Sequence, residues 1–211
     1  MGKAEQVLAR ILGAKEGAHQ RVPNLHEMAS SRYWNEIFNM YKRLGGIQSQ
    51  CSPRPRKCDM TVDGLGVELD EEQHFNRYRK ITLDSVAYNE LPRFPRREYA
   101  EYCSLHEDVA TRKAGHGGWW TNPSCERQFG EASPNGILDG AGAPHWKQRA
   151  FHDFVKDLFP LIIGVPVARI SVWDTIAVDG ECFQVKDILS EECVANKKVK
   201  QSLLDLVQNR I

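Results

Sequence analysis

The run CDMTVDGLGVELDEEQHF, residues 58–75, decides the fold. Met60 and Val62 alternate with polar neighbours, and so do Val67 and Leu69. Such alternation over a few residues reads as a strand. Between the two stretches stands Asp63-Gly64, the pair that a two-residue hairpin turn prefers. A turn of that length fixes the register. Val62 then faces Leu65, Met60 faces Val67 and Asp59 faces Glu68. Asp59 and Glu68 leave the same side of the ribbon with Cβ atoms about 4.5–5.5 Å apart, and Asp70 joins them. Two opposed carboxylates repel. Either a divalent cation offsets the repulsion, since hard cations prefer oxygen ligands, or the strand face is solvated and the cost is small.

Outward from the hairpin, helical spacing predicts a short helix at 4–13 and an aromatic-faced helix in SRYWNEIFNMYKRLGG, with Ser31 as its N-cap. IQSQCSPRPRKC reads as an edge strand or extended loop, because Pro53 and Pro55 forbid a central strand. Residues 94–113 read as one helix. Residues 114–144 hold seven glycines and three prolines and read as a long loop containing Trp119-Trp120. HWKQRAFHDFVKDLF is a helix with Trp146, Ala150, Phe151, Phe154, Leu158 and Phe159 inward. VARISVW is a buried strand, a second hairpin turns at Asp179-Gly180, and an amphipathic helix closes the chain.

The expected class is α/β, with a central mixed sheet flanked by helices. The 211 residues, 41% hydrophobic, suffice for one substantial core. A single domain over 1–211 is expected, with 85–144 a helix-plus-loop insertion and 175–211 a hairpin-and-helix extension. Lys plus Arg and Asp plus Glu both number 28, so net charge names no partner. Residues 1–58 nevertheless carry ten basic and four acidic side chains, and 73–97 six and two. Basic flanks around an acidic centre suit a polyanion held near a metal, or are scattered solvated faces. No signal-peptide pattern or membrane-length apolar run is visible, so a soluble, cytoplasmic protein with free thiols is expected. Cys103-x-x-His106, then His116 and Cys125, form a weak candidate zinc set, whose gap matches no standard finger.

At Glu5 in AEQVLARIL, Asp59 in CDMTV, and Glu68, Asp70, Gln73 and His74 in VELDEEQHF, the chain resembles the PD-(D/E)XK, or restriction-endonuclease-like, superfamily. The likeness is to the branch of the very-short-patch repair endonucleases. It spans about residues 4–12, 47–80 and 145–174, and implies a restriction-endonuclease-like core with a long insertion. Two departures stand out. Glu71 replaces a frequent Gly, and Asp70 sits where the superfamily commonly has Lys.

The resemblance implies Mg²⁺-dependent hydrolysis of DNA phosphodiesters, with Mn²⁺ able to substitute. Asp59, Glu68 and the Leu69 carbonyl would hold the ion, and Asp70 would complete the shell or hold a second one. His74 would move a proton, near its usual pKa of about 6.5, and Glu5 would reach in from the first helix. Arg54, Arg56, Lys57, Lys147, Gln148 and Arg149 would contact phosphate. Bland readings stand beside these: helix-dipole partner for Glu5, edge protection for the arginines, and surface positions for Lys147 and Gln148. Trp119 and Trp120 either stack on bases or anchor their loop. The rival functions are a non-catalytic nucleic-acid-binding protein and a zinc-stabilised interaction protein. Oligomeric state is open, a homodimer being one arrangement that duplex cutting would use.

Overall fold

The computed structural model describes residues 2–14, 20–113 and 119–211. Asp63 and Gly64 both adopt positive φ (+48° and +85°), the pairing of a type I′ turn. The strands that flank it, β1 (Met60–Val62) and β2 (Leu65–Asp70), pair antiparallel with Met60 opposite Val67 and Val62 opposite Leu65. This is the register the turn length requires. β3 (Val167–Ser171) joins β2 in parallel, Glu68 standing beside Arg169 and Asp70 beside Ser171. The result is a mixed three-stranded sheet in the order β1-β2-β3. A separate hairpin, β4 (Thr175–Val178) with β5 (Glu181–Gln184), turns at Asp179-Gly180, again with both φ positive. Small mixed and antiparallel sheets flanked by helices make the chain α/β, the class expected from its order of strands and helices.

The helices before the sheet are α1 (Lys3–Leu12), α2 (Leu25–Ser30) and α3 (Trp34–Arg43). Between β2 and β3 run a 3-10 turn at Glu72–His74, then α4 (Arg77–Leu83), α5 (Arg96–Leu105), α6 (Glu107–Lys113), α7 (Pro123–Phe129), α8 (Pro144–Asp157) and α9 (Phe159–Ile163). After β5 come α10 (Val185–Ile188) and α11 (Lys197–Gln208). Among the described residues no helix is long and apolar enough to cross a membrane.

Several expectations change here. Tyr33, not Ser31, is the N-cap residue of α3, because Ser31 closes α2 with its hydroxyl on the Met28 carbonyl. The single helix at 94–113 is two, broken at His106, which stacks on the Trp173 ring. The described part of the glycine-rich stretch contains α7, whose Asn122 cap accepts two backbone N–H groups. PRPRK pairs with no strand.

The hydrophobic stripe of α8 puts Trp146, Ala150, Phe151 and Phe154 into the core, with Tyr41 of α3 and Phe129 of α7 edge-on nearby. Pro144 occupies the first turn of α8, where its missing N–H costs nothing. The opposite stripe of α8 faces the carboxylate side of β2. Every β2 residue is therefore buried, Glu68 and Asp70 included. The solvated strand face allowed by alternation does not exist, because a helix covers it.

Candidate metal and nucleic-acid site

Under α8 the charged groups separate into two clusters. The inner one holds Asp70, Asp153 and Asp157 against Arg79, Arg169 and His74. Arg169 donates Nη1 to Asp70 (2.5 Å), Nε to Asp157 (2.5 Å) and Nη2 to the Asp153 carboxylate (3.3 Å). Arg79 donates to the other Asp157 oxygen (2.8 Å), which also accepts the Tyr88 hydroxyl. His74 Nδ1 lies 2.8 Å from Asp153 and 3.3 Å from Asp70. Burial works against charge on His74, but Asp153 and Asp70 outweigh it and raise its pKa. Burial likewise pushes Asp153 up, yet His74 and Arg169 hold it well below the usual carboxylate range. Three carboxylates thus meet two guanidiniums and an imidazole, so each buried acid has a basic partner.

The outer cluster lines a cavity of about 310 Å³. Asp59, Glu68 and Leu69 form one wall, Glu5 of α1 stands at the edge, and the polar stripe of α8 (His145, Gln148, Arg149, His152, Asp153, Lys156) forms another, with Arg56, His74 and Trp119. Asp59 Oδ2 accepts the Leu69 N–H at 2.9 Å. Amide and carbonyl of one strand residue leave on the same edge, so the Leu69 carbonyl also points toward β1 and Asp59. Glu68 Oε1 is ion-paired with Lys156 Nζ. Asp59 Oδ1 and Glu68 Oε2 accept no hydrogen bond among the described residues. Burial and the neighbouring Glu68 push the Asp59 carboxyl up to about 7, with Glu5 adding to the repulsion. Burial also raises Glu68 and Glu71, and Glu5 repels Glu71. Cations line this cavity too, but the Asp59 carboxylate is paired with none of them and is crowded by Glu68 and Glu5.

The expected residues fall out as follows. Asp59, Glu68, Leu69, Glu5 and His74 share the cavity. Asp70 does not line it: it is fully buried, with Oδ1 bonded to Arg169 and Oδ2 without a hydrogen-bond partner among the described residues. Gln73 stands behind the wall, accepting from Arg149 Nη1 at 3.0 Å. His74 is tied to Asp153 and Asp70, which raise its pKa against burial. Burial lowers His152 to about 4 and lowers His145 as well. Lys147 is on another face, buried over the Tyr78 ring and beside Gly45, and contacts no part of the cavity. Arg54 and Arg56 line a second cavity of about 500 Å³ with Arg127, Gln148 and His152, and Lys57 is exposed outside both. Sequence reasoning missed His145, His152 and Lys156, whose signal was the spacing 145-148-149-152-156 along one helical stripe. Arg127 carried no signal.

Of the zinc set, His116 lies outside the described residues. Cys103 and Cys125 are buried and His106 stacks on Trp173. All six cysteines are free. Among the described residues, one group of three has ligand atoms within 4.8 Å of one another: Asp70, His74 and Asp153. Its spacing could take a cation, but Arg169 already bonds both carboxylates.

The chain belongs to a family of unknown function (DUF7255), whose model matches residues 39–191. That match contains both clusters and every cavity residue except Glu5. No curated protein and no solved structure matches the chain.

Proposed function

We propose that this protein is a divalent-cation-dependent nuclease, a hydrolase of nucleic-acid phosphodiester bonds with DNA as its first-choice substrate. The observation that carries the reading is the placement of Asp59, Glu68 and the Leu69 carbonyl edge in one cavity with Arg56, Arg149 and Lys156. The resemblance to the PD-(D/E)XK superfamily at these residues supports the same chemistry.

The residues suit a hard cation. The donors are carboxylate and carbonyl oxygens, one oxygen of each acid is uncommitted among the described residues, and the repulsion that raises Asp59 is what a cation relieves. Asp59, Glu68 and the Leu69 carbonyl would hold Mg²⁺, or Mn²⁺ in its place. When bound, such an ion polarises a phosphate oxygen and lowers the pKa of its water. Lys156 fixes the Glu68 carboxylate and brings positive charge to the reacting phosphate. Arg149 and Arg56 offer guanidiniums to the other phosphate oxygens. His152, neutral at pH 7, is the group able to accept a proton from the attacking water. His74, tied to Asp153, orients the wall.

A polymer rather than a small phosphate ester is favoured by the adjoining cavity. It has no acidic lining residue, and Arg54, Arg56 and Arg127 form no ion pair among the described residues. Such a groove binds a second phosphate of the same strand.

The test is incubation of the purified protein with plasmid, linear and single-stranded DNA, and with RNA, in Mg²⁺ or Mn²⁺. The expected result is cleavage lost on adding EDTA and lost in Asp59→Ala. Failure to cut any of them, with no Mn²⁺ bound, rejects the proposal. Binding that persists in EDTA without cutting supports the non-catalytic rival.

A further inference from the structure

Trp119 and Trp120 are adjacent in sequence and opposite in role. Trp120 is buried, edge-on against Trp146 (5.4 Å, 61°), with its indole N–H donated to the Ser133 carbonyl at 2.8 Å. Trp119 is 52% exposed and lines the Asp59–Glu68 cavity. It is held from several sides. The Arg149 guanidinium lies 5.6 Å from its ring centre, and Arg149 is itself fixed by Gln73. The Trp119 carbonyl is 3.0 Å from His145 Nδ1, and the Trp120 carbonyl accepts the His145 N–H. One tryptophan anchors the chain while the other holds an open indole over a charged cavity.

An exposed tryptophan in an apolar patch would suggest a protein partner. Here Leu69 is the other apolar residue of the lining, and the rest is charged or polar. A greasy segment seated there would strand Arg56 and Arg149, which form no ion pair among the described residues. A nucleotide supplies both needs, an aromatic face for the indole and a phosphate for the cations. Within a duplex each base face is already stacked on its neighbours, so the indole requires an unpaired base.

We infer that Trp119 is a base-stacking platform, and that the cavity takes an unpaired strand with one base on this indole and an adjacent phosphate beside Asp59 and Glu68. This inference rests on the nuclease reading for the identity of the site, and its ligand is a base with flanking phosphates, in DNA or RNA.

The experiment measures fluorescence anisotropy of labelled 12-mers, as single-stranded DNA, single-stranded RNA and blunt DNA duplex, against the full chain in EDTA. Wild type, Trp119→Ala and Trp119→Phe are compared, and cleavage of the same 12-mers is followed in Mn²⁺. Wild type is expected to bind a single strand more tightly than duplex. Trp119→Ala should weaken single-strand binding about 5- to 150-fold, the loss of one stacked base, and Trp119→Phe should retain most of it. An abasic residue walked along the 12-mer should weaken wild type at one position and leave Trp119→Ala indifferent. The DNA and RNA arms identify the sugar. Equal affinity for duplex and single strand, or unchanged binding by Trp119→Ala, overturns the platform. Trp119-dependent binding without cleavage keeps the platform and defeats the nuclease reading. Cleavage indifferent to Trp119 does the reverse.

Discussion

The two carboxylate clusters beneath α8 differ in how their acids are paired. In the inner one, Asp70, Asp153 and Asp157 are matched by Arg79, Arg169 and His74, and the lattice of bonds fastens β2, β3, α4 and α8 together. In the outer one, Glu68 has Lys156 as partner, while Asp59 has one backbone N–H and repulsive neighbours. A buried charge that is met by partners is structural, since removing one partner strands the others. A half-buried carboxylate pushed toward neutrality, as Asp59 is, would be relieved by a bound cation or by a proton. The difference implies that similar substitutions will act in opposite ways in the two places.

The largest effect should be on chemistry. Asp59→Ala should lower Mn²⁺-dependent cleavage by about 10³–10⁴-fold, because a ligand of the ion is lost. Its urea denaturation midpoint should not fall. Loss of folding in this variant would erase the distinction between the clusters. The inner cluster should respond through stability. Arg169→Met leaves three buried carboxylates short of a partner and should cost about 3–5 kcal/mol in urea unfolding. A cost near zero would show that the inner network is not structural.

Linkage sharpens the contrast. The folded pKa of Asp59, about 7, lies above the unfolded carboxylate value. Its contribution is therefore fully present below about pH 4 and is lost as pH rises through 7. Asp59→Asn cannot ionise, so without metal it should exceed wild type in stability by about 2–4 kcal/mol at pH 8, and by only about a third as much at pH 5. Saturating Mg²⁺ should narrow the gap by stabilising wild type alone. Unfolding curves at the two pH values, with and without Mg²⁺, measure this, and a pH-independent difference would contradict it. The smallest effect belongs to the groove. Arg54→Gln and Arg127→Gln should each lower the slope of log affinity against log salt by about 1, read from anisotropy titrations.

The hairpin was legible because a two-residue Asp-Gly turn leaves one register, and that register alone put Asp59 and Glu68 together. The helix at 144–157 was equally legible, but the side of it that meets the sheet was not read out in full. Successive helical residues differ by about 100°, so Lys147 falls off the stripe that carries Gln148, His152 and Lys156. Asp70 was unreadable as a structural group. Its partner Arg169 is 99 residues away, and nothing local distinguishes a carboxylate facing a cation from one facing an arginine. Alternation in β2 likewise marks two faces without saying whether water or a charged helix covers the second.

The most direct measurement is anomalous diffraction from crystals soaked in Mn²⁺. The account predicts a single peak contacted by Asp59, Glu68 and the Leu69 carbonyl, with Asp70, His74 and Asp153 still bonded to one another and to Arg169. A peak among Asp70, His74 and Asp153 instead, or no peak at either cluster, would contradict it.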